Sequence, residues 1–167
     1  MSFFLSDEQL AIRDAVAKLC SDFDADYWLE CDNEGRFPQE FVAAIADGGW
    51  LGIAMPEEFG GSGLGITEAS LMMQAVTQSG AGFTGASAIH LNVFGLNPVV
   101  VFGTDEQKQR MLPPLIRGEQ KACFGVTEPN AGLDTLSLET RAERSGDGYI
   151  VNGQKHWTTM AQRADKI

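Results

Sequence analysis

Cysteine is scarce in this chain, and its spacing excludes two common ways of stabilising a small protein. Cys20, Cys31 and Cys123 are odd in number and far apart, and no CxxC pair occurs. Such a pattern predicts neither a disulfide framework nor a zinc site. Free thiols are typical of a reducing compartment, so we expect a cytoplasmic protein, and the bacterial cytosol and the mitochondrial matrix fit equally well.

Basic residues and long apolar runs are also scarce. Residues 1–70 carry 14 acids and only 3 bases, whereas residues 71–167 carry 9 of each. The acidic part argues against nucleic-acid and anionic-membrane partners and is typical of a solvated surface. Met1–Leu10 lacks the basic stretch of a targeting peptide. The apolar run Phe94–Phe102 is broken by Asn97-Pro98 and is too short to cross a bilayer, so no membrane span is predicted.

The usual nucleotide-binding motifs are missing as well. No GxGxxG motif lies between a strand and a helix, and no Walker A motif occurs. The glycine-rich loop Gly60–Gly65 has a spacing that fits neither pattern, and we interpret it as a turn between two helices. If this chain binds a dinucleotide, it does so without a Rossmann unit.

Residues 1–120 carry the signals of a helical domain with short connections. The first helix begins with a capping box of Ser6 and Gln9 and has an apolar stripe. A second begins near Pro38, a third is capped by Thr67, a fourth runs from near Gly85 to the Asn97-Pro98 break, and Thr104 with Gln107 opens a fifth. Pro113-Pro114 is expected to distort or end that last helix. The stripe of the first helix consists of Ile12, Val16, Leu19 and Phe23.

After Lys121 the periodicity changes to that of strands. Leu138–Arg144, Tyr149–Val151 and Gln154–Thr159 are predicted strands, joined by the turn signals Ser145–Gly148 and Asn152-Gly153. The fold class is therefore α+β: a helical domain over residues 1–120 and the start of an antiparallel β-domain over residues 121–167. Three strands leave sheet edges that something else must cover.

Two segments of this β-region have the properties of a binding surface. Pro129 and Gly132 force a turn after Val126-Thr127, and its backbone N–H groups can donate to a flavin edge or a pyrophosphate. An ordinary strand-to-loop corner is the alternative. In a strand, Trp157 and Thr159 would share a face, where the indole could stack on a flat ring beside a hydroxyl donor. The alternative for Trp157 is a place in the core of a sheet.

Four segments, in order along nearly the whole chain, resemble motifs of the acyl-CoA dehydrogenase family. Met55–Gly61 reads MPEEFGG, Phe102–Lys108 reads FGTDEQK, Thr127–Asp134 reads TEPNAGLD and Asn152–Thr159 reads NGQKHWTT. The resemblance implies an N-terminal helical domain, a middle β-domain and a C-terminal helical bundle. The bundle and over half of the middle domain are not represented here, so a truncated chain is expected.

By this resemblance the cofactor is FAD. Phe124, Val126 and Thr127 would contact its ring system, Trp157 would lie against the ring, and Thr159 would hydrogen-bond near N5. The same resemblance adds Gly132, Leu133 and Thr158 to the cofactor site. Leu133 stands where the family has a serine that helps to hold the pyrophosphate or the acyl-CoA. Leucine cannot donate a hydrogen bond, so this is a departure that puts affinity and substrate range in question.

The helix around His90 would, by the same resemblance, line the acyl pocket. One face at helical spacing holds Ala86 or Ser87, His90 or Leu91, and Phe94, of which Ser87, His90 and Phe94 are the candidate substrate residues. Leu133 would also be near the substrate. A helix histidine satisfied by a neighbour is the alternative for His90. We interpret His156 as non-catalytic and Glu128 as structural.

The implied reaction is FAD-dependent α,β-dehydrogenation of an acyl-CoA thioester. In the family the proton is removed by a glutamate of the C-terminal domain, so no catalytic residue is expected among these 167 residues, and the isolated chain should be inactive. Expected partners are the acyl-CoA substrate, an electron-transferring flavoprotein or similar acceptor, and further copies in a tetramer or dimer of the full-length protein. A flavin oxidase or monooxygenase on the same fold, or a short non-catalytic subunit of a hetero-oligomer, are the alternatives.

Overall fold

A computed structural model of the chain describes residues 4–167, and its internal contacts form two compact units. One unit ends at Lys121 and the other spans Ala122–Ile167. Met1–Phe3 lie outside the described residues, so the prediction about a targeting peptide in Met1–Leu10 falls partly outside them. The described residues of the first unit form seven α-helices: α1 (Asp7–Cys20), α2 (Ala25–Glu34), α3 (Gln39–Asp47), α4 (Ile66–Val76), α5 (Gly82–Phe94), α6 (Asn97–Phe102) and α7 (Asp105–Ile116).

Helix α1 confirms the predicted capping box. The Ser6 hydroxyl accepts from the Gln9 N–H at 3.2 Å, and the Gln9 side-chain oxygen accepts from the Ser6 N–H at 3.1 Å. Ile12 and Val16 are buried as expected. The predicted stripe was too long, because the helix ends at Cys20 and Phe23 lies beyond it.

Helix α2 was missed by the sequence reading. Its local signals are clear: the Asp24 carboxylate caps it by accepting from the Tyr27 N–H, and Gly35 ends it at a left-handed φ of 60°. Its apolar pattern is weak, since only Trp28 and Cys31 are buried among mostly polar neighbours. A helix that buries so little of its surface gives little periodicity to detect.

The core of the first unit centres on Phe41 in α3. Phe41, Val42 and Ile45 are buried, and Gly49 adopts a left-handed conformation after the helix. The Phe41 ring packs edge-to-face against Phe23 and Trp28, with centroid separations of 5.4 and 5.0 Å. Aromatic rings favour this arrangement because the positive edge of one meets the negative face of the other.

Helix α4 begins two residues earlier than a Thr67 cap would place it. Gly65 is the N-cap residue, and its N–H donates to the Glu68 carboxylate at 3.0 Å, so the Thr67 prediction was wrong. The inward face of the helix includes Leu71, Met72, Ala75 and Val76, which are all buried.

The helical stretch Ile66–Phe102 is long and apolar enough, by length and composition alone, to cross a membrane. The shorter run Phe94–Phe102, considered by itself, is not. Helices packed in a protein core meet the same criterion. This stretch is kinked at Gly80, whose φ of 96° is not helical, and it contributes Met72, Val76 and Ile89 to the core.

Proline has different effects in the last two helices of this unit. Pro98 stands in the first turn of α6, where its missing N–H costs nothing, so the Asn97-Pro98 signal starts a short helix after the break. Thr104 and Gln107 form the predicted capping box of α7. That helix continues through Pro113-Pro114 to Ile116, so of the two expected effects of the prolines, an end of the helix at this point is wrong.

The glycine-rich loop is a turn whose N–H groups are already used. Ser62, Gly63 and Leu64 donate to backbone carbonyls of residues 52, 55 and 53 at 2.8–3.0 Å. A loop that cradles phosphate needs such groups free. The interpretation of Gly60–Gly65 as a turn is therefore confirmed.

The second unit has a two-stranded antiparallel sheet, β1 (Arg141–Ser145) and β2 (Gly148–Asn152), in which Glu143 pairs with Ile150. Gly146 makes the connecting turn at a φ of 59°. The third predicted strand, Gln154–Thr159, does not form, and Val126-Thr127 is not part of a strand. Every residue of the two strands is exposed. The predicted order, a helical domain followed by an antiparallel sheet, is confirmed, with two strands instead of three.

Candidate functional site

Two irregular segments of the second unit lie side by side: residues 123–128 and residues 155–158. The His156 N–H donates to the Thr127 carbonyl at 2.8 Å. The Lys155 ammonium donates to the Val126 carbonyl at 2.9 Å. A Cβ added to Gly125 would lie 3.4 Å from the Thr158 hydroxyl oxygen. The two motif segments singled out in the sequence are thus brought together, although without a β-ladder.

Glu128 is the centre of this arrangement. Its carboxylate accepts from the Lys155 ammonium at 2.8 Å and from the backbone N–H groups of Glu139 and Thr140 at 2.6 and 3.0 Å. The Lys155 ammonium, then Thr140 and the Glu139 N–H, lower the pKa of Glu128 to about 2 from an ordinary value of 4.5. Hydrogen bonds to a charged carboxylate favour its ionised form. The structure therefore agrees with a structural role for Glu128.

Trp157 does not lie in a sheet core, and that alternative is wrong. Its side chain is 88% exposed and its φ is 58°, an unusual value for a residue other than glycine. The prediction that Trp157 and Thr159 share a strand face is wrong, because the segment is not a strand. Phe124 is about half exposed, Thr158 is half-buried and Thr159 is exposed.

The loop from Glu128 to Asp134 is a tight turn. Glu128 and Ala131 exchange backbone hydrogen bonds at 2.9 and 3.2 Å. Gly132 has open space where a side chain would be, and the Leu133 side chain is fully exposed. Since Leu133 buries nothing within its unit, packing there does not account for an apolar residue at this position.

A groove of about 330 Å³ lies between α4 and α5 in the helical unit. Its walls are mostly apolar, and two of the predicted substrate residues, His90 and Phe94, lie in it with their rings 5.4 Å apart. The third, Ser87, is not part of the lining, but its carbonyl oxygen is 3.1 Å from His90 Nδ1. The other lining residues, which the sequence reading missed, are Ile66, Ala69, Ser70, Met73 and Val93.

The hydrogen bond to Ser87 fixes the chemistry of the His90 ring. A carbonyl oxygen only accepts, so Nδ1 carries the proton, and Nε2 of the neutral ring is an acceptor. The alternative of a helix histidine held by a neighbour is correct for Nδ1. It is compatible with a pocket role, because the second ring nitrogen is not used by that bond.

Lys155 is the main site residue that the sequence reading did not single out. It bridges Glu128 and Val126 across 27 and 29 positions of the chain. A single lysine between polar residues gives no local signal. Lys155 is recognised in the structure through Glu128, because a buried carboxylate requires a cationic or N–H partner.

The chain has a helical unit with an apolar groove, followed by a small antiparallel β-unit with two paired loops. Helical first and β second is also the domain order of a known class of enzyme. The N-terminal domain model of acyl-CoA dehydrogenases matches residues 6–119, and the middle-domain model matches residues 123–167. The chain therefore belongs to the acyl-CoA dehydrogenase family.

Individual relatives agree with this assignment. A probable acyl-CoA dehydrogenase of Bacillus subtilis is 38% identical over 167 residues, which are 100% of this chain and 44% of that protein. The structure of an acyl-CoA dehydrogenase from Geobacillus kaustophilus superimposes with a TM-score of 0.84 at 30% identity, over 99% of this chain and 43% of that one. This chain thus spans less than half the length of these relatives.

A third similarity is to the protein PigA, whose structure was solved with FAD and proline. It superimposes with a TM-score of 0.90 at 27% identity, over 99% of this chain and 43% of that one. The same fold is therefore found in a protein that binds FAD together with a ligand other than an acyl-CoA.

Proposed function

We propose that this chain supplies the flavin wall and part of the acyl groove of an FAD-dependent acyl-CoA dehydrogenase. The observation that carries the proposal is the match to both domain models over residues 6–119 and 123–167. The pairing of the two motif segments in the second unit supports it, because they hold the residues that the family resemblance assigns to FAD.

The residues of the second unit suit a flat, partly apolar ring. Phe124 and Trp157 expose aromatic surface on the two paired segments, and Leu136 and Ile150 are among the other apolar side chains that this unit exposes. Thr127, Thr158 and Thr159 add hydroxyl groups, and open space around Gly132 leaves room for close approach to the backbone. Val126 and Leu133 complete the proposed FAD set. FAD, when bound, accepts a hydride from the substrate.

The groove between α4 and α5 is the proposed site of the acyl chain. Ile66, Met73, Val93 and Phe94 offer apolar contact, and His90 Nε2 adds one polar group. A mostly apolar groove with few polar groups is typical of small-molecule sites, where the polar groups set orientation. We propose that His90 adjusts the preference for the acyl substituent.

Proton abstraction is assigned to a residue outside this chain. Glu128 is the buried carboxylate closest to the proposed flavin segments, but its pKa of about 2 makes it a poor base near neutral pH. Its carboxylate oxygens are also held by Lys155 and two backbone N–H groups. Its contacts hold the loop, which is incompatible with exchanging a proton with substrate.

The direct test is anaerobic titration of the purified intact protein with acyl-CoA thioesters of different length. A yellow protein whose flavin absorbance near 450 nm is bleached by an acyl-CoA supports the proposal. A protein that contains no FAD, or FAD that no acyl-CoA reduces, contradicts it. The same preparation measured by light scattering tests the proposed tetramer or dimer.

A second candidate is a flavin-dependent oxidation of another substrate on the same fold. The similarity to PigA, solved with FAD and proline, is the observation that favours it. Reduction of the flavin by proline and not by acyl-CoA, or oxygen consumption in place of reduction of an electron-transferring flavoprotein, would identify this alternative.

A further inference from the structure

We propose that the ion pair between Glu128 and Lys155 is the latch that sets the geometry of the flavin wall, so that both act as positioning residues for FAD. This inference rests on the proposed FAD site. It goes further in naming the interaction that holds the two ring-contacting segments together.

The largest buried side chain among the described residues of Ala122–Ile167 is a charged one. Ala122, Cys123 and Ala131 are the buried apolar residues there, and Glu128 is larger than any of them. A buried carboxylate must be paired or hydrogen-bonded, so the groups that contact Glu128 are held at defined positions around it.

The latch joins three parts of the unit at one point. Glu128 holds the start of the sheet through the N–H groups of Glu139 and Thr140. It holds the second motif segment through Lys155. Lys155 returns to the first segment at the Val126 carbonyl. Loss of the pair would therefore leave the two segments joined by the backbone bond from the His156 N–H to the Thr127 carbonyl, and the backbone around that bond, at Val126 and Trp157, would be less constrained.

The burial of the pair makes its charge balance important. The Glu128 side chain is 4% exposed and that of Lys155 is 27% exposed. Removing one partner of a buried pair leaves the other charge without compensation, whereas removing both is often tolerated. We therefore expect the effects of substitutions at Glu128 and Lys155 on FAD affinity to be strongly coupled. Two residues that act only by their size would not show this coupling.

The test is the FAD dissociation constant of the intact apoprotein, measured by quenching of flavin fluorescence. We expect Lys155→Met and Glu128→Gln each to weaken binding at least tenfold. We expect Lys155→Arg, which keeps the charge, to restore most of it. The double variant should bind FAD more tightly than the product of the single effects predicts. Glu143→Gln, which removes an exposed carboxylate 3.4 Å from Arg141, is the matched control and should change nothing.

Two further readouts separate positioning from loss of fold. Far-UV circular dichroism should be unchanged, and the flavin still bound to Lys155→Met should be more fluorescent because the indole no longer lies against it. Lys155→Met leaves both N–H bonds to Glu128 in place, so it remains informative even if Glu128→Gln does not fold. Wild-type affinity in Lys155→Met overturns the inference, whereas a wild-type protein that binds no FAD overturns the proposed function instead.

Discussion

Replacing Trp157 with alanine should weaken FAD binding strongly and leave the folded apoprotein almost unaffected. The reason is that the indole is 88% exposed and therefore contributes little to the core. A tryptophan of a sheet core behaves in the opposite way, since truncation of a buried Trp costs about 3–5 kcal/mol of stability.

The size of the effect follows from the surface that stacking would cover. A large aromatic side chain has about 150–250 Å² to bury, and a flavin lying on one face covers roughly half of it. At about 25 cal/mol per Å², that burial contributes about 2–3 kcal/mol to binding. Because each 1.4 kcal/mol is about tenfold in affinity, Trp157→Ala should raise the FAD dissociation constant about 30- to 100-fold.

Fluorescence titration of the apoprotein measures the affinity, and urea unfolding followed by circular dichroism measures the stability. Trp157→Phe keeps a smaller ring and should give an intermediate affinity. Tyr149→Ala, at an exposed aromatic of the hairpin, is the matched control and should leave FAD affinity unchanged. An affinity within threefold of wild type in Trp157→Ala, or a loss of more than about 1 kcal/mol in apoprotein stability, would refute the reasoning.

Four more outcomes are expected. Phe41→Ala should lower the free energy of unfolding by about 3–5 kcal/mol in urea titrations, whereas Phe83→Ala, at an exposed ring, should change it by less than about 0.5 kcal/mol. His90→Leu should lower kcat/KM for acyl groups with a hydrogen-bond donor relative to apolar acyl groups, and equal changes for both would contradict a pocket role. Gly61→Ala should cost about 1–3 kcal/mol in the same titrations, because its Cβ would collide with the Met55 carbonyl, and wild-type stability would contradict this. The Glu128 contribution to stability is present above the ordinary carboxyl pKa and is lost as the pH falls toward about 2, so urea titrations should separate wild type from Glu128→Gln most clearly above about pH 5, and the difference should shrink as the pH falls toward about 2.

The helical unit was largely predictable because its signals are local. A capping box joins residues three positions apart, and Ser6–Gln9 and Thr104–Gln107 both form as expected. Helix α2 shows the limit of this approach, since it has good caps but little apolar periodicity. The Thr67 error has a different cause, because the N-cap residue is a glycine without a capping side chain, and the helix start is marked instead by Glu68, which accepts from the Gly65 N–H.

The second unit was predicted less well, for a physical reason. Strand prediction from alternating residues assumes a partner strand, and Gln154–Thr159 has none in the described structure. The segment is instead held by one side chain and one backbone bond to residues nearly 30 positions away. No pattern within Gln154–Thr159 specifies such contacts.

The sequence by itself determined the α+β class, the family and the helix faces that form the core, because caps, periodicity and motifs are written within short stretches of chain. Tertiary structure alone decided that Trp157 is exposed at a left-handed φ, that His90 presents Nε2 with its Nδ1 bonded to Ser87, and that Lys155 pairs with Glu128. These features depend on burial and on distances between residues remote in sequence, which exist only once the chain has folded.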